Sequence, residues 1–435
     1  MRGAHVRRKG ARPVVPALTT GAHPAVRPRL LRRQADWEDR AAYEAAGGYL
    51  PGLAGPGLID AVAASGLRGR GGAAFPAARK LAAVAGRRGE KVVIVNGEEG
   101  EPASVKDRWL LRSRPHLVID GALRAARAVG AGTVYFYVSD TAAALSLKAA
   151  LAELDGAPAE LRVHRVRPSY VAGEETAAVN AINGRPAKPS EKPPRPFEEG
   201  VARLPTLVGN AETIASLPAI AGGAAGQVPS FLMTLSGAVP RPGLYEVPFG
   251  IPLGEATEVL GGLAGPARGY LMGGYFAGLL NARGHGLPLD YDALRARGSG
   301  LGCGAIVVLG ARDCPVGLAA ALLAYFGREN AGQCGSCFNG TAAMAGVAAA
   351  LANGEAGPAE IARLAHWSGF LPGRGACGTL DAAAAVAATL LREFPAEVDA
   401  HQRDACPACA ATDFAATAGP LALSPDSITP PLAAR

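Results

Sequence analysis

Seven cysteines stand at positions 303, 314, 334, 337, 377, 406 and 409. Two pairs have Cys-x-x-Cys spacing, Cys334 with Cys337 and Cys406 with Cys409. The basic residues near the start are not followed by the apolar stretch that a secretory signal needs, so the thiols point to metal or redox chemistry before disulfides, in a cytoplasmic protein. Further upstream, residues 66–80 place Gly69, Gly71 and Gly72 ahead of Pro76, a residue suited to the first turn of a helix. Backbone N–H groups in such a loop close readily around an anion, and Lys80, about one turn into the helix, adds charge. A bare glycine loop is as often only a tight turn. With Arg68, Arg70 and Lys80 beside it, a phosphate site is the better reading.

Two acidic loops fall where a ligand would need them. Asn96-Gly-Glu-Glu-Gly-Glu-Pro102 follows the apolar run 92–95, and Gly173-Glu174-Glu175-Thr176 opens a later helix. Taken singly, the first is a solvated turn and the second an ordinary charge complement at a helix N-terminus. The elements around them give them more meaning. Residues 92–95 and 134–138 read as buried strands, joined through a helical pattern over 118–129 as a parallel crossover requires. A strand over 161–166 and a helix over 177–182, closed by Asn183-Gly184, continue the alternation. Ligands of such α/β folds bind beyond the carboxyl ends of the strands.

A helix is expected over 57–64, where order begins, and the prolines between 186 and 205 imply a fixed, extended loop. From 231 to about 262 the texture changes to short β runs, 233–236 and 243–247, with Pro-Gly turns, which suggests a small β-rich unit. Residues 318–394 are Ala-rich and helical and read as a bundle, with Pro395 interrupting the helix before it.

A chain of 435 residues and 44.0 kDa has room for two or three domains. The net charge of +7 would suit a nucleic-acid surface if it were spread over the fold. Nine cations and no acid lie in residues 1–33, and removing those nine from +7 leaves −2 for the rest. The basic character is therefore that of a Pro-, Ala- and Arg-rich segment, expected to be a disordered leader, and no nucleic-acid partner is called for. No direct membrane insertion is expected either, because the apolar run 305–326 is interrupted by Arg312 and Asp313. Any membrane association would be peripheral, through a partner.

Residues 67–80, 96–108, 170–177, 192–194 and 205–213 resemble, in order, the flavin and nicotinamide motifs of the 51-kDa flavoprotein subunit of NADH dehydrogenases (complex I). The same family occurs in NAD-linked hydrogenases and formate dehydrogenases. The likeness runs from about residue 37 to residue 401 and implies an α/β fold class. An FMN-binding α/β sheet domain over 37–226 would follow the leader 1–36. A β-grasp, soluble-ligand-binding domain over 227–300 would come next, announced by the stretch 235–246. A connecting strand and iron–sulfur helical bundle over 301–400 would precede a tail, 401–435.

The resemblance also implies residue roles. FMN would be held by Gly69, Arg70, Gly71, Gly72 and Lys80, with Asn96, Glu98, Tyr170, Gly173, Glu174, Asn210 and Thr213 around the rest. Phe75, Glu101, Glu175 and Lys192 would face NAD or NADP. The protein's task is positioning, since the flavin itself splits a hydride's two electrons into single steps, and no catalytic acid or base is expected. The implied activity is NAD(P)H oxidation, with electrons passed to an iron–sulfur cluster and then to a thioredoxin-like 24-kDa type subunit or a ferredoxin. The alternative is an electron-carrier or docking subunit that has lost nicotinamide oxidation.

The family's cluster motif is Cys-x-x-Cys-x-x-Cys with a fourth cysteine about forty residues later. Here it reads Ala331, Cys334, Cys337 and Cys377. Three thiolates suit a [3Fe-4S] centre, or a [4Fe-4S] centre with one iron open or held by another group. Cys406 and Cys409 could supply the missing thiol, form a separate metal or redox pair, or sit in an idle tail. Cys303 and Cys314 read as small buried hydrophobes. Further departures are Ala74 for glycine, Gly209 for asparagine, Glu98 for aspartate, and Arg195 where an aromatic stacks on adenine. Arg195 could still stack by its guanidinium face or pair a 2′-phosphate.

Overall fold

The computed structural model describes residues 18–32, 37–154, 156, 158–223, 229–410 and 421–423. Its first sheet is built from the apolar runs just described. It contains β2 (Val92–Asn96), β3 (Thr133–Val138), β4 (Glu160–Arg165) and β5 (Thr206–Asn210). They are all parallel, in the order β4-β3-β2-β5. Alternate side chains of a strand point to opposite faces. Val93 and Val95 accordingly join the core formed with helices Lys106–Ser113 and Pro115–Val129, while Val92 and Ile94 pack with Tyr137, Ala178 and Val208 on the other face. With both faces covered, β2 is apolar throughout. Its last residue, Asn96, is in register with Asn210, the last residue of β5, so two amide side chains stand together at the carboxyl edge.

The second sheet has six strands and mixed direction. β6 (Ser230–Gly237), β7 (Gly243–Pro248), β8 (Gly269–Met272) and β9 (Leu279–Asn281) come from the β-rich stretch. Two more strands arrive from elsewhere, β1 (Thr19–Ala22) beside β7 and β10 (Ala305–Leu309) between β6 and β8. Segment 18–32 is therefore not the disordered leader that its composition suggested. Leu18, Leu30 and Leu31 are buried, and the fully buried Glu246 carboxylate accepts the backbone N–H groups of Arg29, Leu30 and Leu31 at 3.0–3.1 Å. Arg114, paired with Glu38, donates to the carbonyls of Arg29 and Leu30. A few apolar side chains and one buried acid outweigh a disorder-like composition. Residues 1–17 lie outside the described residues.

Helices Pro315–Glu329, Gly335–Ala352, Pro358–Phe370, Thr379–Glu393 and Pro395–His401 form the bundle, and Pro395 does break the last two apart. One helix that the sequence reading did not weigh, Gly335–Ala352, is long and apolar enough to cross a bilayer by length and composition. That helix packs against Pro315–Glu329 and Thr379–Glu393 and buries Met344, Ala348 and Leu351, as the core helix of a bundle does.

Candidate functional site

The glycine loop, both acidic loops and the carboxyl ends of β2 and β5 converge. Asn96 donates its side-chain N–H to the Gly173 carbonyl at 2.8 Å and accepts the Glu98 N–H at 3.2 Å. Asn210 caps the next helix, Ala211–Ala215, by accepting from Glu212 and Thr213. The Thr213 hydroxyl in turn accepts the Arg70 N–H at 2.9 Å, which ties the glycine loop to the end of β5. A Cβ on Gly71 would come within 3.4 Å of Asn210, and Gly72 sits at φ +113°, a conformation that favours glycine. The acidic loop and the Tyr170–Gly173 turn meet backbone to backbone, where a Cβ on Gly100 would come within 2.8 Å of the Ser169 carbonyl. Tyr170 directs its ring at Tyr325 and Phe326 of the bundle.

The cations are already matched. Arg68 makes two bonds to Asp292, at 3.0 and 2.7 Å. The Arg70 guanidinium is buried over the Phe249 ring and donates to the Tyr291 hydroxyl and the Ser230 carbonyl, so of this residue only the backbone faces the loop. Lys80 bonds Glu175 at 2.9 Å and the Val208 carbonyl at 3.1 Å. Lys192 bonds Glu174 at 2.6 Å. Burial would raise the Glu175 pKa, but Lys80 and Lys192 outweigh it and hold the carboxylate below its usual range. Phe75 is exposed, with Arg79 over its ring. Glu101 turns inward and accepts the backbone N–H groups of Tyr275 and Ala103. Burial pushes its pKa to about 8. Glu98 is buried and neither of its carboxylate oxygens has a partner of ordinary hydrogen-bond geometry. Burial raises its pKa to about 7, held back in part by Ser139 and the backbone at Ser169.

The sequence reading did not single out a fully buried ionic cluster beneath this crevice. Lys106 bonds both Asp107 oxygens at 2.9 Å and Glu212 at 3.1 Å, and Asn210 donates to Asp107 at 2.7 Å. Burial lowers the lysine's pKa, but Asp107, Glu212 and Glu99 more than reverse the effect and keep it charged. Lysine and aspartate side by side within a motif already suspected of ligand binding were the available signal.

A second pocket lies at the edge of the bundle, lined by Pro189, residues 331–334, Cys337 and residues 375–377. The three expected thiols, Cys334, Cys337 and Cys377, surround it, with the Cys334 sulfur accepting the Ala376 N–H at 3.4 Å. Lys188 of the proline-rich loop donates to the Ala331 carbonyl at 2.8 Å. Cys406 and Cys409 are absent from this lining and sit with Cys314 and His401, so the tail does not replace the first ligand. Cys314 is likewise more than a small hydrophobe, because its sulfur lies 3.4 Å from His401 Nε2 and 3.5 Å from the Cys409 sulfur.

The residues present fit both groups that the sequence implied. A crevice with a glycine loop at its rim and a buried carboxylate whose oxygens have no partner of ordinary hydrogen-bond geometry suits a phosphate with a hydroxyl-bearing chain, and three convergent thiols suit an iron–sulfur centre. The fold and these two sites define an electron-transfer flavoprotein with an iron–sulfur region. Residues 62–219 match the Nuo51 FMN-binding domain, and residues 317–401 match the NADH-ubiquinone oxidoreductase-F iron-sulfur binding region. The NADH-quinone oxidoreductase-F 2 subunit of Rhizobium meliloti is 33% identical over 401 residues, covering 84% of this chain and 95% of that one. The NADH-quinone oxidoreductase-F subunit of Mycobacterium tuberculosis (strain H37Rv) is 32% identical over 381 residues, covering 80% and 86%. A crystal structure of an NAD+-reducing [NiFe]-hydrogenase in the H2-reduced state superposes with a TM-score of 0.74 at 29% identity, over 81% of this chain and 63% of that one. The chain belongs to the family of NADH-quinone oxidoreductase-F subunits, as its sequence motifs implied.

Proposed function

We propose that this chain is the electron-entry subunit of an oxidoreductase, taking electrons from NADH at an FMN site and passing them through an iron–sulfur centre to another subunit. The carrying observation is that one fold brings the glycine loop, Asn96 and Asn210 together at the sheet edge while Tyr170, from the same edge, packs on the helix that leads to the thiol pocket. Bound FMN supplies the conversion of a hydride's two electrons into single steps, and the cluster takes up single electrons. The chain's own residues bind and orient. The glycine loop 69–72 would hold the phosphate, itself fixed by the Gly69 N–H on the Phe75 carbonyl and the Arg70 N–H on the Thr213 hydroxyl. Glu98 and Asn96 accept from or donate to the hydroxyl-bearing chain. Glu175, Lys192, Phe75 and Glu101 would face the nicotinamide nucleotide, with Glu175 and Lys192 held by Lys80 and Glu174 of the FMN side. Cys334, Cys337 and Cys377 hold the cluster.

The relatives are named as subunits of NADH-quinone oxidoreductases, which supports an acceptor that is a further subunit; we propose one of the thioredoxin-like 24-kDa type, or a ferredoxin. The domain division is proposed as the sequence implied it from 37 onward, amended so that strands 19–22 and 305–309 belong with the β-grasp sheet while Leu30 and Leu31 pack on the parallel-sheet domain. Anaerobic purification followed by flavin, iron and sulfide analysis tests this reading, with absorption and EPR spectra before and after adding NADH or NADPH. One FMN bleached by either nucleotide, together with a reduced cluster, is the expected result. A flavin that only dithionite reduces would overturn the nicotinamide step.

A further inference from the structure

Outside both sites, Cys314, His401, Cys406 and Cys409 each bring one ligand atom to a common point, and these four atoms all lie within 4.8 Å of one another. They come from three places in the chain. Cys314 is the N-cap of helix Pro315–Glu329, His401 is the last residue of helix Pro395–His401, and Cys406 and Cys409 follow a short turn beyond it. Three of the spacings are shorter still: Cys314 Sγ to His401 Nε2 is 3.4 Å, Cys409 Sγ to Cys314 Sγ is 3.5 Å, and Cys409 Sγ to His401 Nε2 is 3.5 Å. Bonds of about 2.3 Å to sulfur and about 2.0 Å to nitrogen make tetrahedral edges of about 3.5 to 3.8 Å, so Cys314, His401 and Cys409 already stand at three corners of such a site, with the Cys406 sulfur within 4.8 Å of each.

The surroundings are those of a ligand set. His401 Nδ1 donates to the Glu397 carbonyl at 2.7 Å, which leaves Nε2, the nitrogen facing the sulfurs, as the one with a free lone pair. The Gly317 N–H points at the Cys314 sulfur at 3.5 Å, the kind of donor that stabilises a bound thiolate. His401 and Cys409 are buried, and none of the three cysteines is in a disulfide.

We propose that these four residues bind one zinc ion in a closed Cys3His site. Three thiols release their protons to solvent, the imidazole binds neutral, and no electron moves. With all four positions filled by protein, the ion is structural and leaves no place for water or substrate. Its effect is to staple residues 401–409 to the start of helix Pro315–Glu329, which packs against the helix carrying Cys337. The site explains why a Cys-x-x-Cys pair stands in the tail without supplying the thiol missing at position 331.

The test uses the full chain with its cofactors. After dialysis against EDTA, zinc, iron and sulfide are measured in the native protein and in Cys406→Ser, a ligand that is partly exposed and outside regular helix. About one zinc per chain beyond the iron is expected, falling roughly tenfold or more in the variant while flavin, iron and sulfide are unchanged. Cys334→Ala gives the opposite pattern, losing iron and keeping zinc, which separates this site from the cluster. Cobalt added to zinc-stripped native protein should give the intense visible bands of a tetrahedral thiolate site, a readout that needs no variant to fold. Native protein without zinc and without cobalt bands, a Cys314–Cys409 disulfide found by mass spectrometry, or iron in place of zinc at these ligands would each overturn the proposal.

Discussion

At position 331, where the resemblance implied a first cluster thiol, the residue is alanine, on the wall of the pocket that Cys334, Cys337 and Cys377, the proposed cluster ligands, share. A cubane with one iron lacking a protein thiolate loses that iron first. Oxidation in air should therefore lower iron from about four to about three per cluster in the native chain, and Ala331→Cys should suppress that loss. Iron and sulfide analysis with EPR follows both. At Glu98 the issue is a proton. Its folded pKa is about 7 against an ordinary value of 4.5, so the folded state binds the proton more tightly. This group's contribution is favourable below about 4.5 and is lost as pH rises through about 7. In flavin-free protein Glu98→Gln should remove that loss, leaving the variant more stable than the native chain at pH 8 by up to about 3 kcal/mol and unchanged at about pH 4. Urea midpoints across that range give the answer.

Among the elements, helix Pro115–Val129 lies against the segment that carries Asn210 and Thr213, and the contact is made through a glycine. A Cβ on Gly121 would fall 2.1 Å from the Ile214 carbonyl oxygen. Alanine there gains about 1 kcal/mol of helix propensity but forces two packed backbones apart, at a cost of about 1 to 3 kcal/mol or more. Gly121→Ala should therefore destabilise despite the better helix former, with a lower urea midpoint and weaker flavin retention as Thr213 moves from the glycine loop. A gain in stability would show that the helix shifts freely. The capping Asn210, the buried Lys106 cluster and the loop bound to Thr213 form one unit, so strain at Gly121 reaches the crevice within two contacts.

Across the whole molecule, the two sheets share a wall built by the chain's first described segment. β1 extends the six-stranded sheet, while Leu30 and Leu31 pack into the core of the parallel one, and Glu246 and Arg114 hold the link from either side. Removing residues 1–32 would bare an edge strand and leave Glu246 buried without its three N–H donors, a loss of several kcal/mol. The truncated chain should melt several degrees lower and associate through β7, visible by calorimetry and light scattering. A truncation that removes residues 1–17 alone tests whether β1 is the cause, because it leaves that strand and Glu246's partners in place.

Local elements and family membership were legible in the chain alone. Residues 92–95 and 134–138 are strands because apolar runs of that length are best satisfied between covered layers, whereas 161–166 alternates apolar and polar residues and forms the half-exposed edge strand β4. The glycine loop and Asn96 pointed to a ligand edge only in combination with the cations and acidic loops beside them. Which distant groups meet was not legible. Arg70 looked like a phosphate cation and became a core residue because Phe249, Tyr291 and Ser230, all far along the chain, surround it. Segment 18–32 looked disordered because composition averages over side chains, whereas docking depended on three leucines finding one core and three N–H groups finding one carboxylate. His401 carried no signal at all until the fold set it beside Cys314, 87 residues earlier. Pairings of that kind follow from how the layers pack against one another, a long-range balance of burial and hydrogen bonding that no local stretch of residues encodes.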